Sequence, residues 1–119
     1  MRSELLYLAD IADAIASIER WMSGCDETRF LRDDILQSAV LQKLSTIGEA
    51  ASRLSAETLS KAPQVPWKEI VGFRNVAVHA YFSVDWKVVY ITAVDDLSVL
   101  QEAVWTLQSR PDSRPIPRS

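Results

Sequence analysis

The stretch DDILQSAVLQKLSTIGEAASRL, residues 33–54, is the part of the chain that decides its fold class. Its apolar residues recur at intervals of three and four, which is the spacing that lines one face of an α-helix. This apolar stripe consists of Leu36, Val40, Leu44, Ile47, Ala51 and Leu54. The pattern predicts a long amphipathic helix from about Asp33 to Leu54, with the stripe facing a core.

Two further stretches repeat the same spacing, one from about Ser3 to Met22 and one from about Asp85 to Ser109. The first stripe is Leu5, Leu8, Ile11, Ile15, Ile18 and Met22. The second is Val89, Ala93, Leu97, Leu100, Val104 and Leu107. No comparable run alternates polar and apolar residues as a half-buried strand does. The sequence therefore predicts an all-α fold.

Prolines and a serine punctuate the region between the second and last of these helices. Ser55 is suited to cap a short helix through about Lys61, which Pro63 then ends. Proline at the first position of a helix loses no hydrogen bond, so the next helix is predicted to run from Pro66 to about Phe82.

The tail RPDSRPIPRS, residues 110–119, has three of the five prolines of the chain. We expect it to be a flexible extension of a single domain at residues 1–109. Its three arginines are candidates for contact with RNA or with an acidic partner surface, although a short proline-rich terminus is more often simply solvated. These arginines are Arg110, Arg114 and Arg118.

Composition limits the classes of function that remain open. The 119 residues, 48% of them hydrophobic, are enough for one core. The net charge of −3 gives no general basic field, so any nucleic acid must be held by a local cluster. One cysteine and one histidine exclude an internal disulfide framework and make a conventional zinc site improbable. No signal peptide or membrane span is predicted, and we expect a cytoplasmic protein.

The segment RNVAVHAY, residues 74–81, contains the one histidine of the chain. On a helix that advances about 100° per residue, Arg74, Asn75, His79 and Tyr81 fall on one side. The opposite, apolar arc is formed by Phe73, Val76, Ala77 and Ala80. The helix is therefore expected to bury its small residues and to present the polar four together.

Histidine and arginine side by side suit the cleavage of a phosphodiester bond. Histidine exchanges protons near neutral pH, and arginine offers a cationic fork of donors to phosphate oxygens. In RNA the 2′-hydroxyl is an internal nucleophile, so cleavage requires proton transfer and charge stabilisation, without a metal. We expect His79 to provide the first and Arg74 the second. Because they lie about 140° apart on the helix, a two-fold dimer that pools two such sets would complete the site.

Other interpretations of this pattern stay open. A single histidine on a helix is more often structural than catalytic. Nucleotide binding without cleavage has less support, because no glycine-rich phosphate loop accompanies the pair. Gly48 would allow close approach of another helix, and Glu49 beside it could then orient Arg74. Glu49 is equally expected to pair on the surface with Lys43 or Arg53.

Tryptophans are candidates for stacking on RNA bases. A tryptophan in the first turn of a helix, such as Trp67, is however more often a wedge that seals the core. We expect the wedge role for the other three as well, namely Trp21, Trp86 and Trp105.

The residues of the histidine segment resemble the R-polar-x-x-x-H signature of HEPN-domain ribonucleases, and more closely the RxxxxHxY form of HepT-type toxins. The likeness extends to IGEAA at residues 47–51, to Pro66 followed by Trp67, and to the I-x-G-x-RN pattern that ends at Asn75. Val84 and Asp85 follow in the same order. The resemblance covers nearly the whole chain except the tail.

This resemblance implies a four- or five-helix HEPN-type bundle that dimerises across the motif helix. It implies a metal-independent endoribonuclease toxin without a cofactor, with Arg74 and His79 catalytic and Asn75 as the polar second position. It also implies an MntA-like minimal nucleotidyltransferase antitoxin that attaches AMP to Tyr81. The alternative is a non-catalytic helical module that dimerises and docks such a partner without cutting RNA.

Overall fold

The computed structural model describes residues 3–79 and 84–109, and of residues 76–79 the backbone alone. It contains α1 (Glu4–Met22), α2 (Glu27–Arg32), α3 (Asp34–Ala51), α4 (Ala56–Ser60), α5 (Trp67–His79), α6 (Trp86–Ile91) and α7 (Leu97–Ser109). A π-helical segment, Thr92–Asp96, joins α6 to α7 without a break. No strand occurs among these residues, and the all-α fold is confirmed.

The long helices meet around one core. α3 lies between α1 and α5 and packs against both, while α7 packs on the other side of α1. The fully buried side chains include Ile11, Ile15, Ile18, Val40, Leu44, Ile47, Leu97, Leu100 and Val104. Most of the three predicted stripes is therefore buried as expected, and α3 is the helix that connects the core to α5.

Leu5 is an exception, because it belongs to the predicted stripe of α1 but is 54% exposed. At about 100° per residue, its side chain lies roughly 100° from the centre of the buried face formed by the later residues of the stripe. Leu5 was included in the stripe because it precedes Leu8 by three residues, but its side chain points away from the core.

Helix α2 was not predicted. With it, the described residues form six helices where four to five were expected, counting α6 to α7 as one. Its N-cap Asp26 accepts a hydrogen bond from the backbone N–H of Arg29 at 2.9 Å. Phe30 is its one buried residue and lies with its ring centroid 5.7 Å from that of Tyr90. A helix of six residues is too short to show an apolar period, so the cap is its main sequence signal.

The predicted starts of α4 and α5 are confirmed. The Ser55 hydroxyl caps α4 by accepting from the backbone N–H of Thr58 at 3.1 Å. The carbonyl of Pro66 accepts from the backbone N–H of Ile70 at 3.0 Å, so α5 begins immediately after this proline.

Three of the four tryptophans have the wedge role that we expected. Trp67 is half-buried against the core and donates its indole N–H to the carbonyl of Ala62 at 2.9 Å. Trp21 and Trp86 are also half-buried against the core. For Trp105 the expectation is wrong, because its side chain is 71% exposed. On a helical wheel, this side chain lies at least about 100° from the centre of the buried face of α7.

Some predictions fall on residues outside the described ranges. These are the extension of the motif helix from residue 80 to Phe82, the position of Tyr81, and the tail at residues 110–119 with its three arginines. Within the described ranges, none of the helices is both long and apolar enough to cross a membrane.

Candidate active site

Helix α5 carries the described part of the predicted motif, from Arg74 to His79, on one uninterrupted helical backbone. Arg74 and Asn75 are exposed, while Phe73 is half-buried and packs against the core, as the helical wheel predicts. His79 is the last residue of α5, and its side chain lies outside what the structure describes, as does all of Tyr81. The structure therefore places Arg74 and Asn75 side by side on the surface and fixes the backbone of His79 in the same helix.

At Gly48 of α3, the backbone of α5 comes very close. A Cβ atom on Gly48 would lie 2.7 Å from the backbone nitrogen of Arg74 and 2.8 Å from the carbonyl oxygen of Ile70. Neither atom can move away cheaply, because both belong to the backbone of α5. The expected close approach is confirmed, and it seats the backbone of Arg74 directly on α3.

Glu49, next in the chain, lies beside Arg74. Its Oε1 is 3.9 Å from Nη1 of Arg74, and both side chains are exposed. At this distance the charges attract, but the pair is too long for a hydrogen bond, and such surface pairs contribute little to stability. Glu49 thus reaches the neighbourhood of Arg74, while its predicted role in orienting that residue remains a prediction.

The second oxygen of Glu49 is held more tightly by Arg53. Oε2 accepts from Nε of Arg53 at 3.0 Å and lies 2.9 Å from its Nη2. The sequence offered Lys43 and Arg53 as alternative partners of Glu49, and Arg53 is the one observed. The Nζ of Lys43 lies 6.0 Å from the centroid of a Trp21 ring. Glu49 therefore contacts an arginine through each of its oxygens.

Arg53 is a site residue whose position beside Arg74 the sequence did not suggest. Its spacing of four from Glu49 predicted a local surface pair, which was correct. That the same carboxylate faces Arg74 follows from the contact of α3 with α5 at Gly48. Among the described side chains, the site has two guanidinium groups and one carboxylate, and these three groups together carry a net positive charge on an acidic chain.

The described side chains include no group of three or more His, Cys, Asp or Glu residues arranged to hold a metal ion. The chemistry that this arrangement offers is that of guanidinium groups binding anionic oxygens, with the histidine backbone one and a half helical turns further along α5.

Comparison with known proteins places this chain in a family. The family model described as "Ribonuclease HepT-like" matches residues 11–107. The chain belongs to the HepT-like ribonuclease family. This confirms the resemblance drawn from the motif and from IGEAA, and the helical bundle is consistent with a HEPN fold.

Named relatives agree with membership in the HepT-like family. "Probable ribonuclease HepT" of Thermococcus cleftensis is 37% identical over 100 residues, which cover 84% of this chain and 91% of that protein. A "Putative RNase" of Caldanaerobacter subterraneus is 31% identical over 104 residues, covering 87% and 93%. Another "Putative RNase", of Methanocaldococcus jannaschii, is 30% identical over 98 residues, covering 82% and 90%. No solved structure matches the chain. Family membership supports a ribonuclease function.

Proposed function

We propose that this HepT-like chain is a metal-independent endoribonuclease toxin in which Arg74 and His79 carry the cleavage of RNA. The observation that supports this most directly is the exposed Arg74 on the same helix as His79, seated on α3 at Gly48 and beside Glu49. An exposed cation in a locally basic patch is what a phosphodiester substrate requires on a chain of net negative charge.

The proposed reaction uses the 2′-hydroxyl of the RNA itself. This oxygen loses its proton, attacks the adjacent phosphorus, and the bond from phosphorus to the 5′-oxygen breaks as that oxygen gains a proton. The products are a 2′,3′-cyclic phosphate and a free 5′-hydroxyl. His79 transfers the protons, and Arg74 stabilises the extra negative charge of the transition state. Asn75, exposed next to Arg74, supplies an amide that can bind a phosphate oxygen.

The function is tested on a panel of RNAs in the presence of EDTA. For an RNA that is cut, the same strand is made with a single 2′-deoxy residue at the cleaved position. The proposal predicts cutting of the first strand with a 2′,3′-cyclic phosphate end and none of the second at that position. If no RNA is cut, or if the 2′-deoxy strand is cut equally well, the proposed function is wrong and a non-catalytic binding module becomes the better description.

We further propose that two copies of the chain pack against each other through the exposed face of α5, about a two-fold axis. Arg74 of one copy then acts together with His79 of the other. The angle of about 140° between the two residues on one helix supports this arrangement. Mixing the inactive variants Arg74→Ala and His79→Ala then regenerates complete sites, with about a quarter of the wild-type activity after random exchange. No recovery in verified mixed dimers would show that each site is built within one copy.

Regulation by a minimal nucleotidyltransferase antitoxin completes the proposal. Tyr81 lies about 20° from Arg74 on an extended helical wheel, so an AMP group there would put a phosphate beside the arginine and a base over the site. Protein produced with the nucleotidyltransferase encoded beside it should gain one or more AMP units in intact mass and lose RNA cleavage. The mass increment should vanish in Tyr81→Phe, and an unchanged mass with an active partner would contradict this step.

A further inference from the structure

The proposed site has a second arginine that neither the motif nor the family description assigns. Arg53 donates from Nε to Oε2 of Glu49 at 3.0 Å, and its Nη2 lies 2.9 Å from the same oxygen. The other oxygen of this carboxylate faces Nη1 of Arg74. One carboxylate therefore lies between two guanidinium groups, one from the turn that follows α3 and one from α5.

We propose that Arg53 is a phosphate-binding residue that holds the phosphate next to the scissile one in single-stranded RNA. This inference rests on the proposed function, because it takes the phosphate at Arg74 to be the one that is cleaved. It adds a subsite that selects for a substrate longer than two nucleotides.

The geometry of the Arg53 guanidinium supports this role. Glu49 occupies the edge formed by Nε and Nη2, so the fork that includes Nη1 is directed away from the carboxylate. The side chain is 58% exposed, which leaves this fork accessible to solvent. A planar fork of this kind matches two oxygens of a phosphate, and hydrogen bonds between ionised groups are among the strongest in proteins.

The two arginines face different oxygens of one carboxylate, since Nη1 of Arg74 lies 3.9 Å from Oε1 and Nη2 of Arg53 lies 2.9 Å from Oε2. Their guanidinium groups are therefore neighbours, as two groups that bind successive phosphates of one strand must be. The carboxylate reduces their mutual repulsion and holds the side chain of Arg53 through a hydrogen bond. Two phosphates can then be bound at once, each by one arginine, without a basic surface elsewhere on the chain.

The backbone of Arg53 is anchored, so its side chain starts from a fixed point. Its N–H donates to the carbonyl of Ala50 at 3.0 Å, and the next residue, Leu54, is buried in the core. The Ser52 hydroxyl donates to the carbonyl of Glu49 at 2.7 Å in the same turn. A phosphate contact from such a preorganised arginine loses less conformational entropy than one from a freely moving side chain.

The decisive experiment measures binding to a single-stranded RNA of ten nucleotides with 2′-O-methyl groups throughout, which the proposed reaction cannot cleave. The test variant is Arg53→Gln, and the matched control is Arg29→Gln. Arg29 is 59% exposed and pairs with Asp33, four residues on, at 3.7 Å, so the control removes an equally exposed, similarly paired charge from another part of the surface.

We expect Arg53→Gln to raise Kd about five- to tenfold at low salt and to lower the slope of log Kd against log salt by about 0.7. Arg29→Gln should stay within about twofold of wild type. Arg53→Lys, which keeps the charge but loses the planar fork, should restore the salt slope and only part of the affinity. Equal effects of the two glutamine variants would overturn the inference, as would a wild-type protein that does not bind this RNA.

Cleavage adds a second readout. Arg53→Gln should raise KM for a cleavable ten-nucleotide RNA by a clearly larger factor than for a dinucleoside monophosphate, which has no second phosphate. An equal loss on both substrates would mean that Arg53 acts on the reacting phosphate or through Arg74, which overturns the subsite. If wild type binds RNA but never cuts it, the proposed function fails, while the binding comparison still decides the role of Arg53.

Discussion

The contact of α3 with α5 and the contact of α1 with α7 are built differently. At Gly48, the backbones of α3 and α5 meet with no side chain between them, and the exposed Arg74 and Asn75 stand beside that contact. α1 and α7 instead contribute large aliphatic side chains to the core, such as Ile15 and Leu100. The second kind of contact supplies stability and tolerates adjustment. The first kind fixes where the functional arginine stands, and it leaves no room for adjustment.

The largest expected effect on stability comes from the α1–α7 side. Leu100→Ala removes a side chain that is fully buried, and it should lower the free energy of unfolding by about 2–5 kcal/mol in urea titrations. Because Leu100 lies on α7, which packs mainly on α1, and the contact at Gly48 joins α3 to α5, the rate of RNA cleavage per folded molecule should stay within about twofold of wild type. A much larger loss of activity at temperatures where the variant is fully folded would contradict the claim that the α1–α7 contact supplies stability without positioning the site.

Gly48→Ala should have a smaller effect on stability and a larger one on activity. The new Cβ would overlap the backbone of α5, and overpacking of this kind costs about 1–3 kcal/mol even though alanine favours the helix. As α5 shifts, Arg74 moves relative to Glu49, so the rate of RNA cleavage should fall at least about tenfold.

Gly72→Ala is the matched control for that change. Gly72 lies on α5 two residues before Arg74, and beyond its chain neighbours and the backbone of its own helix no atom lies within 4 Å of the position its Cβ would take. The substitution should raise the free energy of unfolding by up to about 1 kcal/mol and change the cleavage rate much less than Gly48→Ala does. Equal behaviour of the two alanine variants would mean that the close approach at Gly48 is not what positions the site.

The smallest expected effect on stability is that of replacing Glu4, at the start of α1. A hydrogen bond from the Thr58 side chain, together with one from the backbone N–H of Ser55 at 3.1 Å, holds the pKa of this carboxyl below its ordinary value of 4.5. Because the pKa is lower in the folded state than in the unfolded state, the ionised carboxylate stabilises the fold at pH values above the unfolded pKa. This contribution is lost as the pH falls through the folded pKa.

Glu4→Gln should therefore lower the free energy of unfolding by about 0.5 kcal/mol at neutral pH, with the difference from wild type shrinking below about pH 4.5. Urea titrations at a series of pH values between neutrality and pH 3 measure this directly. A difference that grows as the pH falls would contradict the assigned cause.

The long helices could be predicted because twenty or so residues of regular spacing outweigh any single exception. Short features could not be predicted in this way. α2 has no room for a period, and Leu5 and Trp105 match an apolar pattern or a general tendency while pointing away from the core. For Leu5 and Trp105, the direction of one side chain, rather than the identity of the residue, decided the outcome.

In the candidate site, too, some features follow from the spacing within one helix and others from the packing between helices. The exposure of Arg74 and Asn75 follows from the spacing within one helix, so the sequence was sufficient. The bridge from Arg53 through Glu49 to Arg74 depends on how α3 crosses α5, which a helical wheel does not contain. Gly48 was the one sequence signal of that crossing, because a glycine inside a helix usually has a packing reason.

The measurement that tests the central claim most directly is the initial rate of RNA cleavage in EDTA by wild type, Arg74→Ala and His79→Ala, each shown to be folded and in the same oligomeric state. Removing the proton-transfer group or the charge-stabilising group should slow cleavage by about 100-fold or more in each case. Cleavage by His79→Ala or Arg74→Ala at the wild-type rate would contradict the assignment of this face of α5 as the catalytic site.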